Sequence, residues 1–138
     1  MKQDYDLAGK IIGCAMRVHS ALGPGFLESV YQNALAFELK QSGLTVELEK
    51  KIPVYYREQC VGDFIADMFI NDCLIVENKA VQSLVKAHEA QLVHYLTSTG
   101  IDEGVLLNFG AERLEYKKKF RLPQQKKELK IIHSVHSV

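Results

Sequence analysis

The spacing of apolar residues along the chain switches between a helical period and a strand period, and each switch marks an element. Between residues 6 and 21, Leu7, Ile11, Ala15 and Val18 recur at three- and four-residue intervals. That spacing predicts a helix, with Asp4 or Asp6 as its cap. Leu22-Gly23-Pro24-Gly25 interrupts it. A second helix is predicted from about Phe26 to Ser42, with Leu27, Val30, Tyr31, Ala34, Leu35 and Leu39 as its apolar side and Gly43 as its stop. From Leu44 to Tyr56 the period falls to two, and Pro53 indicates an edge or a bulge. Val61–Ile70 and Leu74–Ala80 read as a hairpin, and Val85–Thr99 returns to helical spacing and stops at Gly100. Gly104–Phe109 is a continuous apolar run, as expected of a central strand buried on both faces. Arg113–Arg121 reads as a charged edge strand, and a short helix and frayed tail are expected after Pro123. The predicted order is ααβββαββ. It implies an α/β or α+β fold with one mixed central sheet flanked by helices. A single domain over 1–138 is expected, with its core at about 6–121 and a basic tail over 122–138.

Within the predicted hairpin, pattern and chemistry conflict. Met68, Phe69, Ile70, Leu74, Ile75 and Val76 belong in a core, yet the second strand ends in Glu77-Asn78-Lys79. Unpaired buried charge costs several kcal/mol, on the order of the stability of a small domain, so such residues must be paired or used. Glu77 and Lys79 share one strand face and Asn78 points to the other. A three-residue loop (Asn71, Asp72, Cys73) pairs Ile70 with Leu74 and sets Asp67 opposite Glu77, with Cβ atoms about 4.5–5.5 Å apart. Two carboxylates at that separation repel unless a cation lies between them, and an oxygen-rich site with water suits Mg²⁺ or Mn²⁺. A two-residue loop would instead put them on opposite faces. Asn78 breaks the rule in the other direction: a central strand expects an apolar residue there, and a buried Asn needs partners.

Composition narrows the classes. With 47% apolar and 25% charged residues, the 138-residue chain can build a substantial core. No apolar run reaches the roughly 18–20 residues of a membrane span, and the start MKQDYD does not resemble a signal peptide. Cys14, Cys60 and Cys73 are scattered, without a CxxC pair, and read as reduced, mostly buried thiols of a cytoplasmic protein. Net charge is zero but unevenly placed. Residues 1–112 hold 9 Lys and Arg against 15 Asp and Glu, a balance of −6, and residues 113–138 hold 8 against 2, a balance of +6. A basic end beside an acidic site would suit a phosphate backbone; a solvated charged edge would account for it equally.

Asp67 followed by Glu77-x-Lys79, in this order of elements, resembles the PD-(D/E)xK nuclease superfamily. Gln91 and Tyr95 match the QxxxY motif of its RecB-like and lambda-exonuclease-like branch. Gly25-Phe26-Leu27-Glu28-Ser29-Val30-Tyr31 matches the signature of its GxxExxY family. The likeness continues through Gly62-Asp63, His88-Glu89-Ala90-Gln91-Leu92 and Asn108-Phe109-Gly110. It implies a restriction-endonuclease-like core and a Mg²⁺-dependent nuclease, with Mn²⁺ as a substitute. Asp67 and Glu77 would hold the metal, Glu28 would add a third acid, and Lys79 would orient water or stabilise developing charge. Gln91 and Tyr95 would line the site. Nucleic acid is the implied partner, DNA before RNA; a homodimer is compatible with cutting two strands, and no membrane is involved.

Each assignment has a plainer reading. Asp67 and Glu77 could be a solvated strand-end pair, and Lys79 a salt bridge to either. Glu28 is placed to favour a helix start. His88, Gln91 and Tyr95 share one helix face, where Tyr95 could be a half-buried core residue and His88 solvated or in supporting contact. The chain as a whole could be an inactive nucleic-acid-binding or regulatory module on a nuclease scaffold. A metal-free acid–base hydrolase using Glu77 and Asp67 is a third option.

Overall fold

The computed structural model describes residues 6–123. Two helices lead, α1 (Leu7–Leu22) and α2 (Glu28–Gln41). Three strands follow, β1 (Val46–Tyr56), β2 (Gln59–Ile70) and β3 (Leu74–Lys79), then α3 (Lys86–Thr99), β4 (Glu103–Asn108) and β5 (Glu115–Phe120). The order is the predicted ααβββαββ. Asp6 caps α1, its Oδ1 accepting the Gly9 N–H at 2.9 Å, and Gly100 closes α3 in the left-handed region at φ 77°. The short helix expected after Pro123 lies outside the described residues.

The strands form one five-stranded sheet in the order β1-β2-β3-β4-β5. β3 and β4 are parallel, joined by α3, and the other neighbours are antiparallel. The sheet has two apolar faces. Met68, Ile70, Val76, Val105 and Leu107 pack against α1 and α2, while Phe64, Ala66, Ile75 and Leu106 pack against α3. β4 is therefore buried on both sides, and β1 and β5 are the edges. Two expectations need correcting. Leu27 and Val30 are exposed; α2 buries Tyr31, Leu35, Ala36 and Leu39, because the stripe facing the sheet is rotated from the predicted one. Of the cysteines only Cys14 is buried: Cys73 sits in the hairpin turn and Cys60 near the β1–β2 turn.

The hairpin turn sets the register the site requires. Asn71 and Asp72 both adopt left-handed φ (50° and 56°), which Asn and Asp tolerate better than most residues. Asn71 Oδ1 accepts the Thr45 N–H at 2.8 Å, and the Cys73 N–H donates to the Ile70 carbonyl. Ile70 then pairs with Leu74 and Met68 with Val76.

At the far end of β3 a polar knot fixes where the chain goes after Lys79. The buried Asn108 accepts the Val81 and Gly110 N–H groups on Oδ1 and donates Nδ2 to Glu115 Oε1 at 2.8 Å; the same Glu115 oxygen accepts the Leu84 N–H. A Cβ at Gly110 would lie 2.4 Å from the Val81 carbonyl oxygen and 2.6 Å from Ala80 backbone carbon. Backbone cannot yield as a side-chain tip can. Gly110→Ala is expected to cost about 1–3 kcal/mol in urea unfolding, as overpacking does, and a wild-type midpoint would show the contact to be loose.

Candidate active site

Pairing between β2 and β3 ends at Met68–Val76, and the strands part beyond it. Asp67 and Glu77 stand at this fork. The Asp67 N–H donates to Glu77 Oε2 at 3.1 Å, and the Asn78 N–H donates to Asp67 Oδ2 at 2.8 Å. Each carboxylate thus takes a main-chain donor of the opposite strand, in the place of the next ladder rung. Both are partly buried.

These N–H groups favour the ionised acids, but desolvation outweighs them. Burial, followed by the Asp67 charge, pushes the Glu77 carboxyl up to about 8 from 4.5. Burial likewise raises Asp67, with the charges of Glu28 and Glu49 adding to it and Lys79 opposing. Two buried acids that cannot comfortably ionise together form a site that gains from a cation.

Lys79 is half-buried at the end of β3, on the strand face it shares with Glu77 and opposite Asn108 of β4. No ion pair engages its ammonium among the described residues, so the expected alternative of a plain salt bridge does not describe it. Its charge nonetheless lowers both Asp67 and Glu77.

Glu28 opens α2, exposed, in the turn where a helix dipole favours an acid. It makes no capping hydrogen bond. Its position comes from the turn before it: the Tyr31 hydroxyl donates to the Gly23 carbonyl and accepts the Phe26 N–H at 3.1 Å, while its ring stacks on Phe109 at 4.8 Å. Gly25 takes φ 119°, open to glycine alone at little cost. Tyr31 is thus a buried clamp, and Glu28 reaches the acid pair through its charge. Among the described residues no three His, Cys, Asp or Glu side chains converge closely enough to hold an ion. Of the expected Asp67, Glu77 and Glu28 set, Asp67 and Glu77 are joined across the fork by hydrogen bonds, and Glu28 acts on both through its charge.

α3 covers the sheet face that carries Glu77 and Lys79. Tyr95 stacks on Phe64 at 3.8 Å between ring centroids, so its ring belongs to the core beneath α3. Gln91 is exposed, and no hydrogen bond joins it or Tyr95 to the acids. His88 Nδ1 accepts the Val85 N–H at the start of its own helix, which accounts for it locally.

The basic strand does not gather at the site. Lys118, Lys119 and Arg121 pair with Asp6, Glu89 and Asp102. Phe120 lies beside Glu103, at the end of the sheet opposite Lys79. Two residues not anticipated from sequence do lie at the fork: Glu49, whose charge acts on Asp67, and Gln32, whose Nε2 donates to Glu49 Oε2 at 3.0 Å. Asn78 finds its partner here, donating Nδ2 to Gln32 Oε1 at 3.1 Å.

The donor set fits a hard divalent cation: two neighbouring carboxylates whose ionisation is opposed by burial and mutual repulsion. A family model described as the PD-(D/E)XK nuclease superfamily matches residues 5–120. No curated protein matches the chain. A solved structure, described as the crystal structure of SSO0001, aligns with a TM-score of 0.54 at 18% identity, over 78% of this chain and 57% of that one. The present chain thus spans just over half the length of that protein, and at this identity the likeness is one of fold. The five-stranded mixed sheet flanked by helices is restriction-endonuclease-like.

Glu77 gives this site a pH signature without metal. A carboxyl raised from 4.5 to about 8 adds stability that is complete below pH 4.5 and lost as pH rises through 8, because the unfolded chain releases its proton first. Glu77→Gln removes that loss. At pH 8 in chelator it is expected to exceed the wild type by on the order of a few kcal/mol, with the two converging near pH 4.5. Parallel denaturation curves across that range would remove Glu77 as the titrating group.

Proposed function

The chain belongs to the PD-(D/E)XK nuclease superfamily, and from that membership we propose that it is a divalent-metal-dependent nuclease whose working centre is the β2–β3 fork. The observation that carries the proposal is the pair of hydrogen bonds that join the two acids across the fork, Asp67 N–H to Glu77 and Asn78 N–H to Asp67, with the Lys79 charge acting on both. Asp67 and Glu77 would hold Mg²⁺, for which Mn²⁺ would substitute, and the chemistry so supplied would be positive charge that polarises a phosphodiester and favours attack by water. Lys79, which forms no ion pair among the described residues, would place its ammonium where negative charge develops on the phosphate oxygens and stabilise it there. Glu28 adds negative charge from α2, consistent with a GxxExxY-type signature. Tyr95 supports the α3 wall through Phe64, and the exposed Gln91 is available to the substrate. The substrate is nucleic acid, DNA before RNA, acted on by one domain spanning 1–138 in the cytoplasm, as monomer or homodimer.

A second reading, an inactive nucleic-acid-binding module on this scaffold, draws on one observation: no third ligand converges with the two carboxylates among the described residues.

Labelled single- and double-stranded DNA and RNA, incubated with Mg²⁺, Mn²⁺ or chelator, separate the readings. Cutting that needs metal is expected, and Asp67→Ala and Lys79→Ala should each lower it at least about 100-fold, the scale on which electrostatic groups act on turnover. No cutting of any substrate, together with no calorimetric Mn²⁺ binding, would leave the binding module.

A further inference from the structure

The scheme above leaves three polar side chains at the fork without a role: Glu49, Gln32 and Asn78. Glu49 lies in the middle of β1, where Leu48 pairs with Met68 and Lys50 with Ala66; the ladder has no rung at Glu49 and Asp67 between them. Its φ of 51° is left-handed, a conformation that few residues other than Gly, Asn and Asp adopt. Gln32 follows Glu28 by one turn on the same side of α2. Both ends of its amide are used, Nε2 toward the Glu49 carboxylate and Oε1 toward Asn78 Nδ2. Only this orientation satisfies a partner that solely accepts and one that donates.

The third member is buried at a cost. Asn78 is 1% exposed; Nδ2 also lies 3.3 Å from Met68 Sδ, and Oδ1 has no partner. An apolar side chain at 78 would avoid that orphaned oxygen, since a partly satisfied buried polar group is worse than none. The polar chain therefore opposes core stability at the one strand position between the two charged residues of the motif.

We propose that Asn78 and Gln32 are positioning residues that hold the Glu49 carboxylate beside Asp67, making Glu49 an additional negative group of the cation site. This rests on the nuclease reading. Hydrated Mg²⁺ and Mn²⁺ keep several waters, so a carboxylate outside direct ligation still contributes through charge and through those waters.

The test is calorimetric titration of Mn²⁺ into the chelator-treated full chain, with melting temperatures of the metal-free proteins alongside. Glu49→Gln keeps an acceptor for Gln32 and removes only the charge. It is expected to bind Mn²⁺ about tenfold more weakly, the scale of supporting-group effects on metal affinity, with its melting temperature unchanged. Gln32→Leu should show the same loss. The double variant should be no weaker than Glu49→Gln alone, because a neutral side chain leaves nothing for Gln32 to position. Wild-type affinity in Glu49→Gln overturns the inference, as does a double variant in which the two losses multiply. A lowered melting temperature at unchanged affinity assigns Glu49 to structure alone and also overturns it. The outcomes separate cleanly from the underlying reading. If the wild type binds Mn²⁺ and Glu49→Gln matches it, this inference alone falls; if the wild type binds none, the metal-dependent reading falls with it.

Discussion

Two hydrogen bonds in which a carboxylate replaces a strand rung govern this molecule. Beyond Met68 and Val76 the sheet stops pairing, and two carboxylates bridge the gap, Glu77 accepting the Asp67 N–H and Asp67 accepting the Asn78 N–H. The arrangement satisfies backbone groups that would otherwise be orphaned at a buried fork. It also withdraws two acids from water and places them together. The N–H bonds favour the anions, desolvation and mutual charge oppose them, and the second effect wins at both residues. Glu77 therefore holds its proton near neutral pH, and under the proposed function a cation at the fork would have to displace that proton.

The rest of the chain holds that fork from three directions. The Asn71 turn fixes the register that sets Asp67 against Glu77. The Asn108–Glu115 knot fixes the exit of β3, so Lys79 ends its strand in a defined direction. Tyr31 clamps the Gly23–Phe26 turn and so sets where α2 begins, which places Glu28 and, one turn on, Gln32. These supports are turn, hydrogen-bond and packing devices, and only the knot includes a charged group, the Glu115 carboxylate.

That division explains what could be read from the sequence. Element order followed from periodicity, and the Asp67–Glu77 register followed from counting a turn of three residues. Asn78 could be recognised as an anomaly, but its partner could not, because Gln32 lies 46 positions away and α2 offers several polar candidates. Glu49 was hidden for a different reason. It reads as one polar position of an alternating edge strand, and nothing in a glutamate signals a left-handed φ. Charge counting left two readings of the basic end open; on the described strand, Lys118, Lys119 and Arg121 are engaged in ion pairs and the strand leads away from Lys79, as a charged edge would. Spacing placed Gln91 and Tyr95 correctly on one helix face, but only the stack on Phe64 showed that the Tyr95 ring supports the core.

The strain at Glu49 has a structural counterpart in the sheet. Val46, Ile52 and Val54 are all even-numbered, as are Phe64, Ala66, Met68 and Ile70, so strict alternation would send all of them to one face. Instead Val46, Met68 and Ile70 face α1 and α2, while Ile52, Val54, Phe64 and Ala66 face α3. The face changes on both strands at the missing rung, between Glu49 and Asp67. Without that change α3 would lose the Phe64 surface on which Tyr95 stacks. A left-handed glutamate costs roughly 1–2 kcal/mol, while burying one phenylalanine returns about 1.5–3 kcal/mol, so the packing under α3 alone offsets the distortion. What the distortion does beyond packing is local. It leaves Asp67 at the switch, with no rung to β1 on one side and a parted β3 on the other. An acid inside a twelve-residue strand thereby stays only partly buried and feels its neighbours' charge.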